Sequence, residues 1–249
     1  MSFSDFHIHT VFSDGKNTPE EMIESAIKRG IKQLGFSDHS YTFFDKSYCM
    51  KKESRNDYII TINSLKSAYS EKINIYCGIE QDFYSTEQTD MYDYVIGSVH
   101  YVRIGDDYIP VDESAEDFKN AVLKYFGGDF ITFAEEYFKT VSCVIEKTNA
   151  DIIGHFDLIS KFNAQGLFDE KDSRYISAWK KAVDNLLKYE KPFEINTGAI
   201  SRGYKAFPYP SKTIIDYIKQ NGGKFILSSD AHSLKNIGFE FEKWSYLIK

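Results

Sequence analysis

Cysteine is scarce in this chain, and its spacing excludes two common uses of the residue. The three cysteines are Cys49, Cys77 and Cys143, an odd number spread far apart along 249 residues. Small secreted domains that depend on disulfides carry dense, even sets of cysteine, and zinc ribbons carry close cysteine pairs. Neither pattern is present, so we expect free thiols in a reducing cytoplasm.

Long apolar runs and export signals are also missing. No stretch approaches the roughly 18 apolar residues that a membrane-spanning helix needs. The first residues, Met1–Phe6, contain neither a basic segment nor an apolar one, so no signal peptide is predicted. We therefore expect a cytoplasmic protein without a membrane partner.

A surplus of positive charge is absent as well. The formal net charge is −7, and the lysines and arginines are scattered, mostly along predicted helices. Proteins that follow nucleic acid need a basic face that neutralises phosphates. We expect no nucleic-acid partner, although a local positive pocket is compatible with this charge.

What is present is an alternation of short apolar runs with amphipathic segments. Such alternation predicts an α/β fold with a parallel sheet and helices outside it. Polar residues follow nearly every predicted strand, and that distribution favours a closed barrel over an open sheet. We expect one domain over residues 1–249, with an irregular insertion, Tyr101–Gly128, over the mouth of the site.

The bounds of the elements follow from hydrophobic periodicity and helix-end signals. Seven strands are predicted: Asp5–Thr10, Gln33–Asp38, Ile73–Gln81, Tyr94–Tyr101, Asp151–Asp157, Pro192–Thr197 and Lys224–Asp230. The predicted helices are Thr18–Lys28, Asp57–Ser70, Phe130–Lys147, Arg174–Tyr189, Ser211–Gln220 and Phe239–Ile248.

All six histidines follow short, β-rich apolar runs, which is where barrel enzymes place metal ligands. His7 and His9 are separated by one residue, and on a strand that spacing puts both side chains on one face. Asp230 and His232 repeat the spacing on the last predicted strand. First and last strands become neighbours when a barrel closes, so the two pairs would meet. The remaining histidines are His39, His100 and His155.

Three carboxylates join the histidines as candidate ligands: Asp14, Glu80 and Asp230. Glu80 ends an apolar strand, where a carboxylate costs stability unless it is paired or coordinated, and a salt bridge is the alternative. Asp14 lies in a Ser-Asp-Gly turn directly after the histidine pair, so a turn role is its alternative. Asp38 and His39 are adjacent, and only one can point inward; we expect His39 to be the ligand and Asp38 to be structural.

Together these histidines and carboxylates provide more ligands than one metal ion needs. A catalytic zinc takes about three protein ligands and keeps one position open, so the set suits about two to three divalent ions. Mixed nitrogen and oxygen ligands without thiolate are compatible with zinc, manganese or iron. The resulting positive pocket would attract a phosphate monoester dianion. The candidate ligands are His7, His9, Asp14, His39, Glu80, His100, His155, Asp230 and His232.

Arginine is rare, and two of the five arginines are candidates for binding phosphate. Arg202 lies in the loop after a predicted strand, and its planar guanidinium could hold a phosphate through two parallel hydrogen bonds. Arg103, close behind His100, and Lys161, close behind His155, are further candidates. A surface role is the alternative for each.

Seven short motifs follow one another across almost the whole chain, and as an ensemble they resemble the polymerase and histidinol phosphatase (PHP) family. Within it, the chain is most similar to the stand-alone histidinol-phosphate phosphatases, especially at Ser98-Val99-His100, at Gly154-His155-Phe156-Asp157 and at Asn196-Thr197-Gly198. The motifs are His7-x-His9-Thr10-x-x-Ser13-Asp14-Gly15, Ser37-Asp38-His39, Gly78-Ile79-Glu80, Gly97-Ser98-Val99-His100, Gly154-His155-Phe156-Asp157, Glu194-Ile195-Asn196-Thr197 and Ser229-Asp230-Ala231-His232.

The resemblance implies a distorted seven-stranded (β/α)7 barrel, similar to a TIM barrel, with a trinuclear metal centre. Many family members have histidine where Asp14 stands, so the third metal site of this chain would be more anionic. By motif, one ion would be held by His7, His9, Glu80 and Asp230, a second by Glu80, His100 and His155, and the third by Asp14, His39 and His232.

The resemblance also implies an activity, hydrolysis of L-histidinol phosphate to L-histidinol and phosphate in histidine synthesis. A hydroxide bridging two ions would attack phosphorus, and Arg202 would hold phosphoryl oxygens. Asp230 or His232 could protonate the leaving alkoxide, and Asp45, Asp112 or Glu113 could pair with the substrate ammonium. The alternatives are a phosphotyrosine-protein phosphatase, a nuclease, or a metal-binding accessory module without catalysis.

Overall fold

The computed structural model describes residues 3–249, so the first two residues of the predicted domain lie outside the described part. Seven parallel strands form one sheet, and two further strands form a separate antiparallel hairpin. In chain order the strands are β1 (Phe3–Asp5), β2 (Ile31–Phe36), β3 (Asn74–Asp82), β4 (Tyr94–Ser98), β5 (Tyr101–Ile104), β6 (Asp107–Pro110), β7 (Ile152–Ile153), β8 (Phe193–Asn196) and β9 (Phe225–Ser228).

The sheet curls until its first and last strands meet. Its order is β1-β2-β3-β4-β7-β8-β9. Just beyond β1 and β9, Ile8 and Ala231 form a parallel bridge. There the amide of His9 donates to the Ala231 carbonyl at 3.0 Å, and the amide of Ala231 donates to the His7 carbonyl at 3.1 Å. The predicted α/β barrel of seven strands is therefore confirmed, with closure made at the carboxyl ends of the strands.

The helices pack outside the barrel. Their bounds are α1 (Pro19–Lys28), α2 (Arg55–Ala68), α3 (Ala115–Phe126), α4 (Phe130–Val141), α5 (Val144–Thr148), α6 (Ser173–Leu186), α7 (Gly198–Ser201), α8 (Lys212–Gln220) and α9 (Phe241–Trp244), with short 3-10 turns between several of them. Helix α1 begins with a capping box, in which Thr18 and Glu21 each accept a backbone hydrogen bond from the other. None of the helices within residues 3–249 has the length and apolarity of a membrane span.

The single helix predicted over Phe130–Lys147 is wrong, because the structure breaks it after Val141. Thr140 donates its hydroxyl hydrogen to the Glu136 carbonyl at 2.9 Å, and Ser142 donates to the Lys139 carbonyl at 2.7 Å. Such hydroxyls compete with backbone amides for helical carbonyls and weaken the helix at this point. The hydrophobic stripe continues across the break, which is why periodicity alone predicted one helix.

The predicted insertion consists of the hairpin β5–β6 and helix α3. The amide of Val111 donates to the His100 carbonyl at 2.9 Å and fixes the hairpin to the end of β4. Tyr101 donates its hydroxyl hydrogen to Asp45 at 2.7 Å, and the ring of Tyr108 stacks on Phe44 with centroids 3.9 Å apart. The hairpin and the loop after His39 thus form one wall above the carboxyl ends of the strands.

Inside the barrel, a small apolar cluster fills the space beneath those ends. It contains Tyr94, Ile96 and Ile152, with Phe6, Tyr76 and Ile226 packed against them. The Tyr94 ring lies across β2 and β3, where a Cβ on Gly35 or Gly78 would fall 2.3 Å from Tyr94 atoms. The two glycines therefore make room for this ring.

Removal of the Tyr94 hydroxyl should destabilise the barrel. The hydroxyl lies 2.6 Å from the Phe6 carbonyl and 3.0 Å from that of Phe36, in a buried setting. We expect Tyr94→Phe to lower the free energy of unfolding by about 1–3 kcal/mol, because a buried acceptor loses its donor. Urea denaturation measures this. Tyr246→Phe is the matched control, since that ring is 55% exposed. Equal midpoints for the two variants would contradict the expectation.

Candidate metal centre

The outermost residues of the closed barrel carry the first four candidate ligands. Ile8 and Ala231 are fully buried and turn outward into the core, so the alternation of the extended chain turns their neighbours inward. The rings of His7 and His9 lie 5.1 Å apart, and the rings of His9 and His232 stack at 4.1 Å. The structure therefore brings together residues from the two ends of the chain. The four are His7, His9, Asp230 and His232.

Glu80, on β3, lies at the centre of the cluster. Its Oε2 is 2.9 Å from His39 Nδ1, 3.2 Å from His7 Nε2 and 3.5 Å from His9 Nε2. Its Oε1 is 3.0 Å from His155 Nε2 and 3.4 Å from His100 Nε2. One fully buried carboxylate thus faces five imidazoles that come from four different strand ends.

Asp14 and Asp230 extend the cluster toward the cavity. Asp14 Oδ2 is 3.1 Å from His232 Nε2, and Asp230 Oδ1 is 3.4 Å from His9 Nε2. The loop that carries Asp14 turns so tightly that a Cβ on Gly15 would lie 2.5 Å from the His9 carbonyl. Asp230 adopts a left-handed φ of 51°, which is costly for a residue with a side chain and is found where a site demands it.

The donor atoms of the cluster fit divalent metal ions. Buried polar atoms nearly always have a hydrogen-bond partner, yet several of these do not. The side chains of the cluster form three overlapping groups, each with its ligand atoms within 4.8 Å of one another: His9, Asp14, His39 and His232; His7, His9 and Asp230; and His39, Glu80 and His100. The buried atoms without a hydrogen bond of normal geometry are His7 Nε2, His9 Nδ1 and Nε2, His39 Nδ1, His155 Nδ1 and Glu80 Oε2, although His39 Nδ1 and Glu80 Oε2 lie 2.9 Å apart. Such a mixed set of imidazole and carboxylate donors can hold divalent metal ions.

The charges of the cluster depend on each other. Burial works against the charge on Glu80, but the imidazoles of His39 and His7 hold the pKa of its carboxyl well below the usual range. Burial lowers the pKa of His9 to about 3, and the neighbouring His232 and His39 add to the effect. The imidazole of His9 is therefore neutral, which is the form that binds a metal.

The structure brings Arg202 to the cluster and leaves Arg103 outside it. Arg202 donates from Nη2 to Asp230 Oδ2 at 2.8 Å and from Nη1 to the Asp230 carbonyl at 3.1 Å. A Cβ on Gly198 would lie 2.6 Å from Asp230 Oδ2, so the glycine permits this pair. Arg103 lies on hairpin strand β5 with its guanidinium on Gly105 and Asp106. It does not line the cavity, because the strand turns its side chain to solvent.

The cluster forms the floor of a cavity of about 600 Å³. Lys161, also predicted to contact substrate, lines it and donates to the carbonyl and the carboxylate of Asp112 at 2.7 and 3.1 Å. Asp45 and Glu113 line the wall that the hairpin forms. The cavity therefore presents carboxylates and cations above the cluster, as a site for a polar small molecule would.

The family model of the PHP domain matches residues 5–198 of this chain. The chain belongs to the PHP domain family. The matched segment ends before β9. Asp230 and His232 therefore lie outside it, in the part of the chain that completes the barrel.

Relatives of this PHP domain are known in sequence and in structure. A "Probable histidinol-phosphatase" of Schizosaccharomyces pombe is 28% identical over 255 residues, covering 92% of this chain and 80% of that protein. A Listeria monocytogenes crystal structure has a TM-score of 0.85 at 22% identity, with 97% and 99% of the two chains covered. The histidinol phosphate phosphatase of Lactococcus lactis, solved with zinc, L-histidinol and phosphate, has a TM-score of 0.73 at 23% identity, with 99% and 92% covered.

Sequence reasoning placed Glu194 in a motif but gave it no role, and in the structure it supports the PHP metal centre from β8. Its Oε1 lies 2.7 Å from His7 Nδ1, and its Oε2 accepts from the His155 amide at 2.9 Å. With the Nδ1 proton of His7 directed at Glu194, the other ring nitrogen faces Glu80. The available signal was a carboxylate between the two apolar residues of a short buried strand, Phe193 and Ile195. Glu194 and Glu80 follow the same rule, that a buried carboxylate needs partners.

Asp82 and Asp38 support the same centre through hydrogen bonds to a ligand ring and to a ligand loop. Asp82 Oδ2 lies 3.2 Å from His100 Nδ1, so it orients this ring toward Glu80. Asp38 accepts from the Thr10 amide at 2.8 Å and from the Ser13 hydroxyl at 2.6 Å, which holds the loop that carries Asp14. Asp38 thus has a structural position, and the adjacent His39 enters the cluster.

Loss of the Glu194 carboxylate should weaken metal binding without unfolding the protein. Partners of this kind contribute roughly 10- to 100-fold in metal affinity, so we expect Glu194→Gln to lose that much. Competition against a fluorescent chelator measures the affinity, and thermal unfolding checks the fold. Glu242→Gln, on the exposed face of α9, is the control. Identical affinities in both variants would show that Glu194 does not orient His7.

Proposed function

We propose that this PHP domain is a metal-dependent phosphomonoesterase that hydrolyses L-histidinol phosphate to L-histidinol and phosphate in histidine biosynthesis. One observation carries the proposal: nine candidate ligands from along the whole chain meet beneath a cavity of about 600 Å³. A cluster of divalent ions at that floor suits a doubly charged phosphate ester. The cavity has room for a small substrate rather than for a duplex or a folded protein.

The relatives support the substrate assignment. The Schizosaccharomyces pombe relative is named a histidinol-phosphatase, and the Lactococcus lactis structure of the same fold holds L-histidinol and phosphate. We carry these names to the present chain as a proposal. Its own residues supply the two features that such a zwitterionic substrate requires, a floor that can hold divalent cations and a carboxylate-bearing wall.

We propose that about two to three ions of zinc, manganese or iron occupy the cluster, with Glu80 shared between two of them. Bound there, the ions would neutralise phosphoryl oxygens and supply a water of lowered pKa as nucleophile. Zinc in the Lactococcus lactis structure supports a divalent metal. The proposed ligand sets are those of the motifs, His7, His9, Glu80 and Asp230; Glu80, His100 and His155; and Asp14, His39 and His232.

Other residues of the chain would hold the substrate and move its protons. Arg202 is positioned by Asp230 at the edge of the cluster, and it would donate to phosphoryl oxygens. Lys161, which also lines the cavity, would assist. Asp230 and His232, whose facing atoms are 3.4 Å apart, are the candidates for protonating the leaving alkoxide. Carboxylates of the hairpin wall, Asp45, Asp112 and Glu113, would pair with the substrate ammonium.

We further propose that the catalytic unit extends over residues 1–249 as one domain. The last strand and two proposed ligands lie beyond the segment that matches the family model, and the barrel cannot close without them.

The three cysteines are free. A cytoplasmic location and the absence of nucleic-acid and membrane partners remain predictions.

A panel of phosphate esters tests the activity. We expect the manganese- or zinc-loaded protein to release phosphate from L-histidinol phosphate at least tenfold faster than from glucose 6-phosphate, about the factor that one hydrogen bond to a charged group provides. A phosphotyrosyl peptide and single-stranded DNA cover the alternative activities. Metal content measured on the same samples separates a wrong substrate from an empty centre. A preference for the peptide or the DNA would remove the substrate assignment.

A pair of conservative variants tests the two predicted arginines against each other. Arg202→Lys loses the planar fork beside Asp230, so we expect kcat/KM to fall roughly 10- to 100-fold. Arg103→Lys should change kcat/KM little, because its side chain lies outside the cavity. Steady-state kinetics with L-histidinol phosphate gives both values. Equal losses in both variants would contradict the placement.

A further inference from the structure

The four lysines and arginines that line the cavity fall into two classes. Arg202 forms an ion pair with Asp230 at 2.8 Å, and Lys161 forms one with Asp112 at 3.1 Å. Lys16 and Lys235 also line the cavity, but within residues 3–249 neither ammonium group has a carboxylate within ion-pair distance or a hydrogen-bond partner. These two lysines are thus the uncompensated positive charges of the cavity.

Both lysines lie on the same side of the cavity mouth. Lys16 follows Asp14 by two residues, and Lys235 follows His232 by three. Asp14 and His232 are themselves in contact at 3.1 Å. Both lysine side chains are exposed, so each ammonium group is available to an incoming anion.

Hydrogen bonds join the two loops that carry these lysines. The Lys16 amide donates to the His232 carbonyl at 2.9 Å, and the Leu234 amide donates to Asn17 Oδ1 at 3.3 Å. Helix α1 holds the second loop from outside, because Arg29 donates to the Lys235 carbonyl at 3.0 Å and Ser25 to that of Leu234 at 3.0 Å. The backbone beneath both charges is therefore fixed.

We propose that Lys16 and Lys235 form an anion entrance that captures the phosphate group of the substrate before it reaches the metal cluster. The inference rests on the proposed function, and it assigns positioning roles to two residues that do not touch the reacting atoms. The protein carries a net charge of −7, so a dianion approaching it meets a repulsive field. Two uncompensated cations at the mouth reverse that field locally, and rim charges of this kind act on capture rates and salt dependence.

The arrangement also gives the substrate a direction. The lysine pair stands on the side of Asp14 and His232, whereas Asp45 and Glu113 stand on the hairpin wall. A molecule with phosphate at one end and ammonium at the other would enter with its phosphate toward the lysines. The same charges would repel it in the reverse orientation.

The test is the binding of inorganic phosphate to the manganese-loaded protein, measured by calorimetry. At low ionic strength the double variant K16Q/K235Q should bind phosphate roughly three- to tenfold more weakly, as two exposed charge interactions provide. Near 1 M salt, where the screening length falls to about 3 Å, the difference should vanish. The matched control is K32Q/K119Q, which removes the same charge at exposed positions outside the cavity. K16R/K235R should retain wild-type affinity.

Kinetics with L-histidinol phosphate provides the second measurement. We expect K16Q/K235Q to raise KM by a similar factor and to leave kcat unchanged, whereas a structural defect would lower kcat and the unfolding temperature. Phosphate affinity equal to that of the wild type at low salt, or a difference that persists at high salt, overturns the inference. Absence of turnover by the wild type would instead reject the proposed substrate, and the phosphate titration would still decide the role of the lysines.

Discussion

The structure depends on keeping one buried carboxylate, Glu80, charged. A carboxylate without water or partners costs several kcal/mol, and removing one member of a buried charged pair is strongly destabilising. Five imidazoles surround Glu80 at 2.9 to 3.5 Å. Imidazole suits this position because it can face a carboxylate as a cation or bind a metal as a neutral ligand. The histidines can therefore balance the charge of Glu80 as cations when no metal ion is bound, and they can bind metal ions as neutral ligands.

Barrel closure makes this arrangement possible. The carboxyl ends of parallel strands all open on one side of a barrel, so residues distant in sequence meet there. The Ile8–Ala231 bridge brings the two ends of the chain together. It also joins the loops that carry Lys16 and Lys235, so the same contact that completes the metal cluster forms the cationic side of the mouth. Beneath it, the Tyr94 ring fills the barrel and supports the floor.

Charge is graded from the floor of the cavity to its mouth. At the floor, carboxylates and imidazoles compensate each other, and at the edge Arg202 is held by Asp230. On the hairpin wall carboxylates prevail, and on the opposite rim two lysines are uncompensated. Such a gradient suits a substrate that carries both signs of charge, and the positions of the charges follow from loops that hydrogen bonds hold in place.

The sequence by itself determined the barrel and the set of candidate metal ligands. The alternation of strands and helices, the spacing of His7 and His9, and its repetition at Asp230 and His232 were sufficient to predict a barrel with ligands at its strand ends. The barrel prediction succeeded, and the candidate ligands come together at its strand ends because a strand turns alternate residues to one face whatever its neighbours are. Five of the seven predicted strands ran longer than the observed ones; in the first, alternation continues through His7 and His9 after the regular pairing of β1 has ended.

Only the tertiary structure decided which residues touch. Arg202 and Arg103 looked alike in sequence, yet one contacts Asp230 and the other faces solvent. Glu194 and Asp82 orient histidines that are 187 and 18 residues away in the chain, and no local pattern encodes such a pairing. Likewise, Lys16 and Lys235 are ordinary surface residues until the barrel closes. Contacts across closed strands depend on register and loop conformation, which arise from the packing of the whole chain rather than from any segment of it.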